Sequence, residues 1–340
     1  MLHLLRMPCQ SARCRYRVLA ALSGVVCLVL TRGIVAAATL MTTVMGSAQP
    51  RPLDVNPGER LVVIASHPDD ETLGAGALIE RVIERGGSVW VVLVTAGDGY
   101  VEAVVHETGR ARPGPAEYVA YGRRRLREAR LALRELGDDA VRAEHLLGFP
   151  DGGIAPLLTA YRRRTHPERS PTTGALEPPY PDAEHPDARY DGDDLQAALV
   201  HCLRELQPTM IAFPDPLDKH PDHRASGNFT LLAVREFTCG REGAHRATPR
   251  LLAYLVHWPD WPRGWDTSDP SVPAADAQVP LPPNLPSRGL PRVVLTLTDK
   301  EVIVKRRALA QYASQQRVMP ALLGAFVRRI EPFTVFTGAE

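Results

Sequence analysis

The chain has 340 residues, enough to bury a sizeable core as one large domain or two. An apolar fraction of 44% and a charged fraction of 23% are ordinary for a folded globular protein. The formal charge is +1, but the first 48 residues hold five Arg and no Asp or Glu, so the remainder carries about −4 and gives no electrostatic case for nucleic acid as a partner.

Arg13, Arg15 and Arg17 precede an apolar run at 18–31, the n-region and h-region of a secretory signal. Arg32 interrupts, and a second apolar run, 33–48, ends in Gly46-Ser47-Ala48, a small-x-small pattern suited to cleavage before Gln49. Residues 18–48 are also long enough to span a bilayer. An Arg in mid-span costs about 2.5–3.5 kcal/mol on insertion scales, which argues for two short segments. The expectation is a signal peptide or signal anchor over 1–48, an exported (periplasmic or extracellular) or membrane-anchored protein, and membrane contact only through 18–48 if uncleaved. A true start near Met41 or Met45 would make it cytoplasmic. Of five Cys, Cys9, Cys14 and Cys27 lie in this leader. Cys202 and Cys239 remain, which is neither a disulfide framework nor a zinc-spaced pair.

After a Pro-rich lead-in at 49–58, the apolar run Leu61-Val62-Val63-Ile64 predicts a buried strand over 60–66 that ends abruptly in Ser66-His67-Pro68-Asp69-Asp70-Glu71. A helix follows from 71 to 84. Its Gly74-Ala75-Gly76 lacks the third Gly of a dinucleotide fingerprint and has acidic residues at the phosphate position, so a close-packed helix start is the better reading. A second buried strand spans 88–95, and Ala96-Gly97-Asp98-Gly99 turns at the edge that carries the motif. The Arg-rich helix 116–136 has the apolar stripe Leu126, Ala129, Leu133 and Leu136; Arg123, Arg124, Arg125 and Arg127 read as a solvated face, one of which can reach substrate. Strand three is 144–149, closed by the turn Pro150-Asp151-Gly152-Gly153, where Asp151 either orients substrate or closes the turn.

Residues 160–193 have no periodicity, and a structureless stretch of that length is usually a lid or disordered. Leu195, Ala198, Leu199, Cys202, Leu203 and Leu206 then mark an amphipathic helix ended by Pro208, with Cys202 as a small core residue. Strand four, 209–213, leads through Asp215 to His220-Pro221-Asp222-His223, and a helix runs from 223 to about 237. Strand five is 251–257. A Pro-rich excursion, 259–291, follows Trp258 and bears Trp261 and Trp265, which either stack on a sugar or pin the loop. Strand six (292–297), a helix over 299–312 and an extended piece at 332–336 finish the chain.

Strands alternating with helices predict an α/β fold, Rossmann-like, with a mostly parallel sheet, helices on both faces and two Pro-rich loop insertions. Both His/Asp clusters fall at C-terminal strand tips, where open sheets of this kind bind ligands. Two such clusters can converge on one cation, and three N/O ligands with an open position describe a catalytic zinc site better than a structural one.

His67-Pro68-Asp69-Asp70-Glu71 and His220-Pro221-Asp222-His223, in this order, resemble the PIG-L/LmbE-like family of zinc-dependent N-deacetylases. The likeness extends through Leu126 to Gly137, Leu147 to Gly153, Tyr254 to His257 and Lys305 to Gln315, and covers roughly residues 58–336. The resemblance implies one domain over 49–340, one Zn2+ per chain held by His67, Asp70 and His223, Asp69 as general base, and His220 facing the reacting carbonyl. It implies a zinc-assisted attack of water on the acetamide of an N-acetylglucosamine-type conjugate, releasing acetate and a free amine. A protonated His220 would stabilise the oxyanion or assist amine departure. Glu71, Asp98, Asp151 and Asp222 are expected to support these groups or the substrate, a small molecule, glycan or glycolipid. Lys219 and Asp218 stand where some relatives have Gly and Tyr, which puts substrate identity in doubt. Two other readings stay open: a zinc amidase or esterase on a non-sugar substrate, and a non-catalytic glycan-binding member of the fold. No Gly-x-Ser-x-Gly occurs to suggest a serine hydrolase.

Overall fold

The computed structural model describes residues 50–137, 141–163, 165–239, 247–262 and 280–337, with the backbone alone at 141–144. The leader read at 1–48, and Trp265, lie outside the described residues. Its strands are β1 (Arg51–Pro52), β2 (Arg60–Ala65), β3 (Ser88–Thr95), β4 (Val141–Phe149), β5 (Met210–Pro214), β6 (Arg250–Tyr254), β7 (Arg292–Thr296) and β8 (Ile330–Phe336). They form one sheet in the order β1-β7-β8-β6-β5-β2-β3-β4. The helices are α1 (Asp70–Glu84), α2 (Val101–Thr108), α3 (Pro115–Gly137), α4 (Ile154–Leu157), α5 (Gly192–Leu206), α6 (Pro221–Thr238), α7 (Asp299–Ala310), α8 (Ala313–Gln316) and α9 (Pro320–Ala325). Among the described residues no helix is long and apolar enough to cross a membrane.

The apolar run of β2 is buried on both faces because side chains alternate along a strand. Leu61, Val63 and Ala65 enter one core, and Val62 and Ile64 the other. β2 pairs in parallel with β3 on one side and β5 on the other. From β2 the chain first builds outward through β3 and β4, then returns to add β5 and β6 on the opposite side. The order therefore reverses between β2 and β5, and the crevice beyond their C-terminal ends is the topological switch point of the sheet. Both motifs leave from those two ends.

Three readings of the sequence need correction. First, β8 is an interior strand, antiparallel to both β6 and β7. The short link after α9 brings the chain straight back, so no parallel crossover is built. Second, the described residues of the stretch 160–193 are docked on the body rather than structureless, and its last two residues open α5. Tyr180 and Tyr190 are buried, Glu184 N donates to Leu146 O at 2.8 Å, and the Tyr190 hydroxyl reaches Gly148 O at 2.9 Å. Aromatic anchors and backbone bonds dock it where helical or strand periodicity is absent. Third, β6 ends at Tyr254, so His257 sits in the loop beyond the strand.

Helix α1 is broken at Ala75, whose φ of −142° is not helical. The break follows from close packing, since a Cβ on Gly74 would lie 2.2 Å from the Tyr254 ring. An intact helix would join Ala77 N–H to Leu73 C=O. Here Ala77 N donates instead to Glu331 Oε1 at 2.8 Å, and Leu73 O accepts from Lys305 Nζ at 2.8 Å. Glu331 and Lys305 pair with each other at 2.6 Å, each side chain only 2% exposed. The ion pair thus substitutes for the missing helical bond. Glu331→Ala leaves a buried ammonium and two orphaned N–H groups, an expected loss of about 3–5 kcal/mol. Urea unfolding of that variant measures it, with Lys305→Met/Glu331→Leu expected to recover part. An unchanged midpoint in the single variant would refute the bridging role.

Candidate metal centre and active-site cleft

His67 follows the tip of β2, and His223 lies in the first turn of α6, which starts just beyond β5. Asp70 opens α1 between them. His67 Nδ1 lies 3.3 Å from Asp70 Oδ2 and 3.2 Å from His223 Nε2, and His223 Nε2 is 3.1 Å from Asp70 Oδ2. These three donors form a nearly equilateral triangle. Bonds of about 2.0–2.1 Å in a tetrahedron require donor separations of about 3.3 Å, so the triangle has the size of one face of a tetrahedral zinc site. Other groupings, such as His67 with His220 and His223, or Asp70 with His223 and His257, lie within the wider limit of 4.8 Å. The His67–Asp70–His223 set, with all three separations between 3.1 and 3.3 Å, matches that size, and its donor chemistry fits a borderline divalent ion.

Carboxylates hold the outer nitrogens of both imidazoles. His67 Nε2 faces Asp151 Oδ1 at 3.2 Å and Asp222 Oδ2 at 3.5 Å. His223 Nδ1 faces Asp218 Oδ2 at 3.4 Å, a charge contact rather than a formed hydrogen bond. Carboxylates in these places fix the tautomer and turn the other nitrogen toward a cation. Burial alone would lower both imidazoles. The Asp151 charge lifts His67 well above its usual range, and Asp70 with Asp218 lifts His223 to about 10. Burial opposes ionisation of Asp70, Asp151 and Asp218, yet the neighbouring imidazoles hold all three below the carboxylate range. The pocket is built for positive charge.

Asp69 is arranged differently from its neighbour. Its φ of 125° is a strained conformation for a residue with a side chain, costing on the order of 1–3 kcal/mol. Two side chains hold it through three hydrogen bonds. Asp69 N donates to Glu71 Oε2 at 3.0 Å, while Arg125 Nη2 holds both Pro68 O and, at 2.9 Å, Asp69 Oδ2. Arg125 Nη1 reaches Gly97 O at 3.1 Å, and Gly97, with φ of 69°, has no room for a Cβ beside that guanidinium. Burial pushes the Asp69 carboxyl up to about 7; Asp70 and Glu71 add to this, and the Arg125 charge opposes it.

His220 caps α6, and its Nδ1 accepts from Asp222 N at 3.3 Å. The ring packs edge-on to His67, with centroids 4.9 Å apart. Burial and the charges of His67, His223 and His257 lower it to about 2. That direction favours the neutral imidazole over the protonated one, and with Nδ1 accepting, Nε2 is the nitrogen left to carry a proton. The cleft, about 360 Å³, is lined by His67, Asp69, Asp70, Asp151, His220 and His257 on its polar side.

The remaining candidates separate. Asp151 holds His67 and accepts from Gly99 N at 2.6 Å, so it does more than close a turn. Asp222 touches His67 and also receives Gly152 N and Ile154 N, which joins the support of His67 to the start of α4. Glu71 does not touch the three donors; bonded by Tyr312 and Thr72, it supports the backbone of Asp69. Asp98 is outside the cleft lining, bonded by the Tyr180 hydroxyl. Trp261 is buried with its Nε1 on Pro280 O, and Trp258 Nε1 reaches Asn284, so both pin the excursion.

Sequence reasoning missed Arg125 as a partner of Asp69, Asp218 behind His223, and His257 beside His220. It also missed Gln315, whose Nε2 donates to Tyr121 at 2.8 Å while its buried Oε1 has no partner. Arg125 had a signal: it falls on the stripe Tyr118, Tyr121, Gly122, Ala129.

The family model described as PIG-L, GlcNAc-PI de-N-acetylase, matches residues 62–234. A 1D-myo-inositol 2-acetamido-2-deoxy-alpha-D-glucopyranoside deacetylase of Rhodococcus opacus (strain B4) is 28% identical, covering 77% of this chain and 83% of its own. A second protein of that description, from Saccharopolyspora erythraea, is 31% identical over 51% of this chain and 55% of its own. Among solved structures, the N,N'-diacetylchitobiose deacetylase from Pyrococcus horikoshii aligns with a TM-score of 0.50 at 17% identity, over 82% of this chain and 84% of that one. The A40926 pseudoaglycone deacetylase also gives 0.50, at 21% identity, over 83% and 99%.

Proposed function

The chain belongs to the PIG-L family, and from that premise we propose that it is a metal-dependent N-deacetylase that removes acetate from an N-acetylglucosamine-type conjugate. The observation that carries this is the triangle of His67 Nδ1, Asp70 Oδ2 and His223 Nε2 with the strained Asp69 beside it. We assign the ion as zinc, one per chain, held by those three residues. When bound, it supplies Lewis acidity to the acetamide carbonyl and acidifies water.

The residues around it divide the remaining work. Asp69, with Oδ2 anchored by Arg125, keeps Oδ1 to take a proton from attacking water, and a carboxyl near neutrality suits that task. The same group then returns the proton to the departing amine. His220 stays neutral and offers Nε2–H to the developing oxyanion, stabilising negative charge without carrying a proton that the amine would compete for. Asp151, Asp222 and Asp218 keep His67 and His223 oriented. A non-catalytic binding member would have no use for a strained Asp69 held near neutrality.

The test is acetate release from a panel of N-acetylglucosamine conjugates by zinc-loaded protein, with a chelator-stripped sample alongside. Turnover that disappears on stripping and returns with zinc is expected. Zinc-loaded, folded protein that releases acetate from none of them would overturn the assignment.

A further inference from the structure

The cleft has two unlike walls. One carries the carboxylates and imidazoles already described. The other is carbon: Leu73 from α1, Tyr100 before α2, and Met319 and Leu322 at the start of α9. Met319 and Leu322 are only partly buried, although they pack against the main core beside Leu73. Leu73 and Tyr100 come from the first third of the chain and Met319 and Leu322 from its C-terminal segment, so two stretches distant in sequence build this wall.

Charge points the same way. Arg125 is the only Lys or Arg among the described residues lining the cleft. Its guanidinium bonds Asp69, Pro68 O and Gly97 O, and its remaining Nε is buried, so it faces the protein rather than a ligand anion. Asp69, Asp70 and Asp151 line the same space. Beyond the metal centre, a phosphate or carboxylate next to the sugar would meet no Lys or Arg other than the buried Arg125 among the described lining residues, and Asp69, Asp70 and Asp151 would repel it.

Resting on the deacetylase reading, we infer that the sugar's substituent is a neutral, apolar aglycone, alkyl or aryl, seated on Leu73, Tyr100, Met319 and Leu322. The acetamide faces the polar wall and the aglycone covers the carbon wall. At about 360 Å³ the cleft is at the small end of ligand sites, so the sugar fills its polar side and the aglycone runs along the rim. Covering that wall removes apolar surface from water, and this selects among conjugates that share one reacting group.

The experiment compares kcat/KM for the methyl and octyl glycosides of N-acetylglucosamine and for N-acetylglucosamine 1-phosphate, using the full chain loaded with zinc. The octyl glycoside is expected to exceed the methyl by at least about tenfold, with the phosphate below both. In Met319→Gln/Leu322→Asn the octyl-to-methyl ratio is expected to fall toward one. The ratio is internal to each protein, so a general loss of fold or metal does not imitate the effect. Equal rates for octyl and methyl in the parent, an unchanged ratio in the variant, or preference for the phosphate would overturn this inference and leave the deacetylase reading standing. Acetate from no glycoside at all would overturn both.

Discussion

Asp70→Ala is expected to lower zinc affinity by more than about 100-fold and to bring activity to background. Outer carboxylates that merely orient a ligand are worth about 10–100-fold in affinity, and Asp70 is itself a corner of the donor triangle. It also accepts His67 N at 2.8 Å, so its loss releases the turn that aims His67. The two remaining imidazoles would face each other at 3.2 Å with carboxylates only on their far sides. Asp218→Asn is the graded comparison: the contact behind His223 stays in place but loses its charge, and about 10–100-fold in affinity is expected. Elemental analysis after dialysis against a competing chelator gives both values. If Asp70→Ala kept zinc at parental affinity, a different donor set would hold the ion, and His67, His220 and His223 would be the next to examine.

The parallel half of the fold was legible because its signals are local. Leu61-Val62-Val63-Ile64 and Ile211-Ala212-Phe213 are continuous apolar runs, and a sheet buried on both faces demands such runs. Each ends in charge, which marks the strand tip. β8 was harder to read. Pro332 argues against an interior strand, and it is tolerated because β6 pairs with β8 only from Thr334 onward. α2, α4, α8 and α9 have 8, 4, 4 and 6 residues, too few for a helical period to show. In the site, the residues at strand tips were found and their partners were not. Arg125 stands among three other Arg residues, and only tertiary packing decides which one is buried. Asp218 stands only five residues before His223, but nothing local shows that the loop turns its carboxylate back onto that ring, and Gln315 meets Tyr121 across the fold. The pairing of Lys305 with Glu331 was invisible for the same reason, since nothing local announces the break in α1.

Asp69→Asn is expected to retain zinc and fold while losing on the order of 10²–10⁴ in kcat, the worth of a positioned general base. The substitution keeps the shape, and Asn still accepts from Arg125, so the strained turn at φ of 125° persists. What disappears is a group that can take a proton. The pH profile carries the more specific expectation. Asp69 must be ionised to act, and burial raises its carboxyl to about 7, so kcat/KM should fall as pH drops through that region. A cation held by His67, Asp70 and His223 favours the ionised form, which places the midpoint of the acid limb at or below about 7. In the parent the limb should be present; in Asp69→Asn the residual rate should lack it. His220, held neutral down to about 2, is not expected to contribute a limb of its own. Steady-state kinetics across pH, with zinc content measured on each sample, separates these outcomes. An Asn variant as active as the parent, or one whose residual rate keeps the same acid limb, would move the base elsewhere in the cleft and leave Asp69 as a structural partner of Arg125.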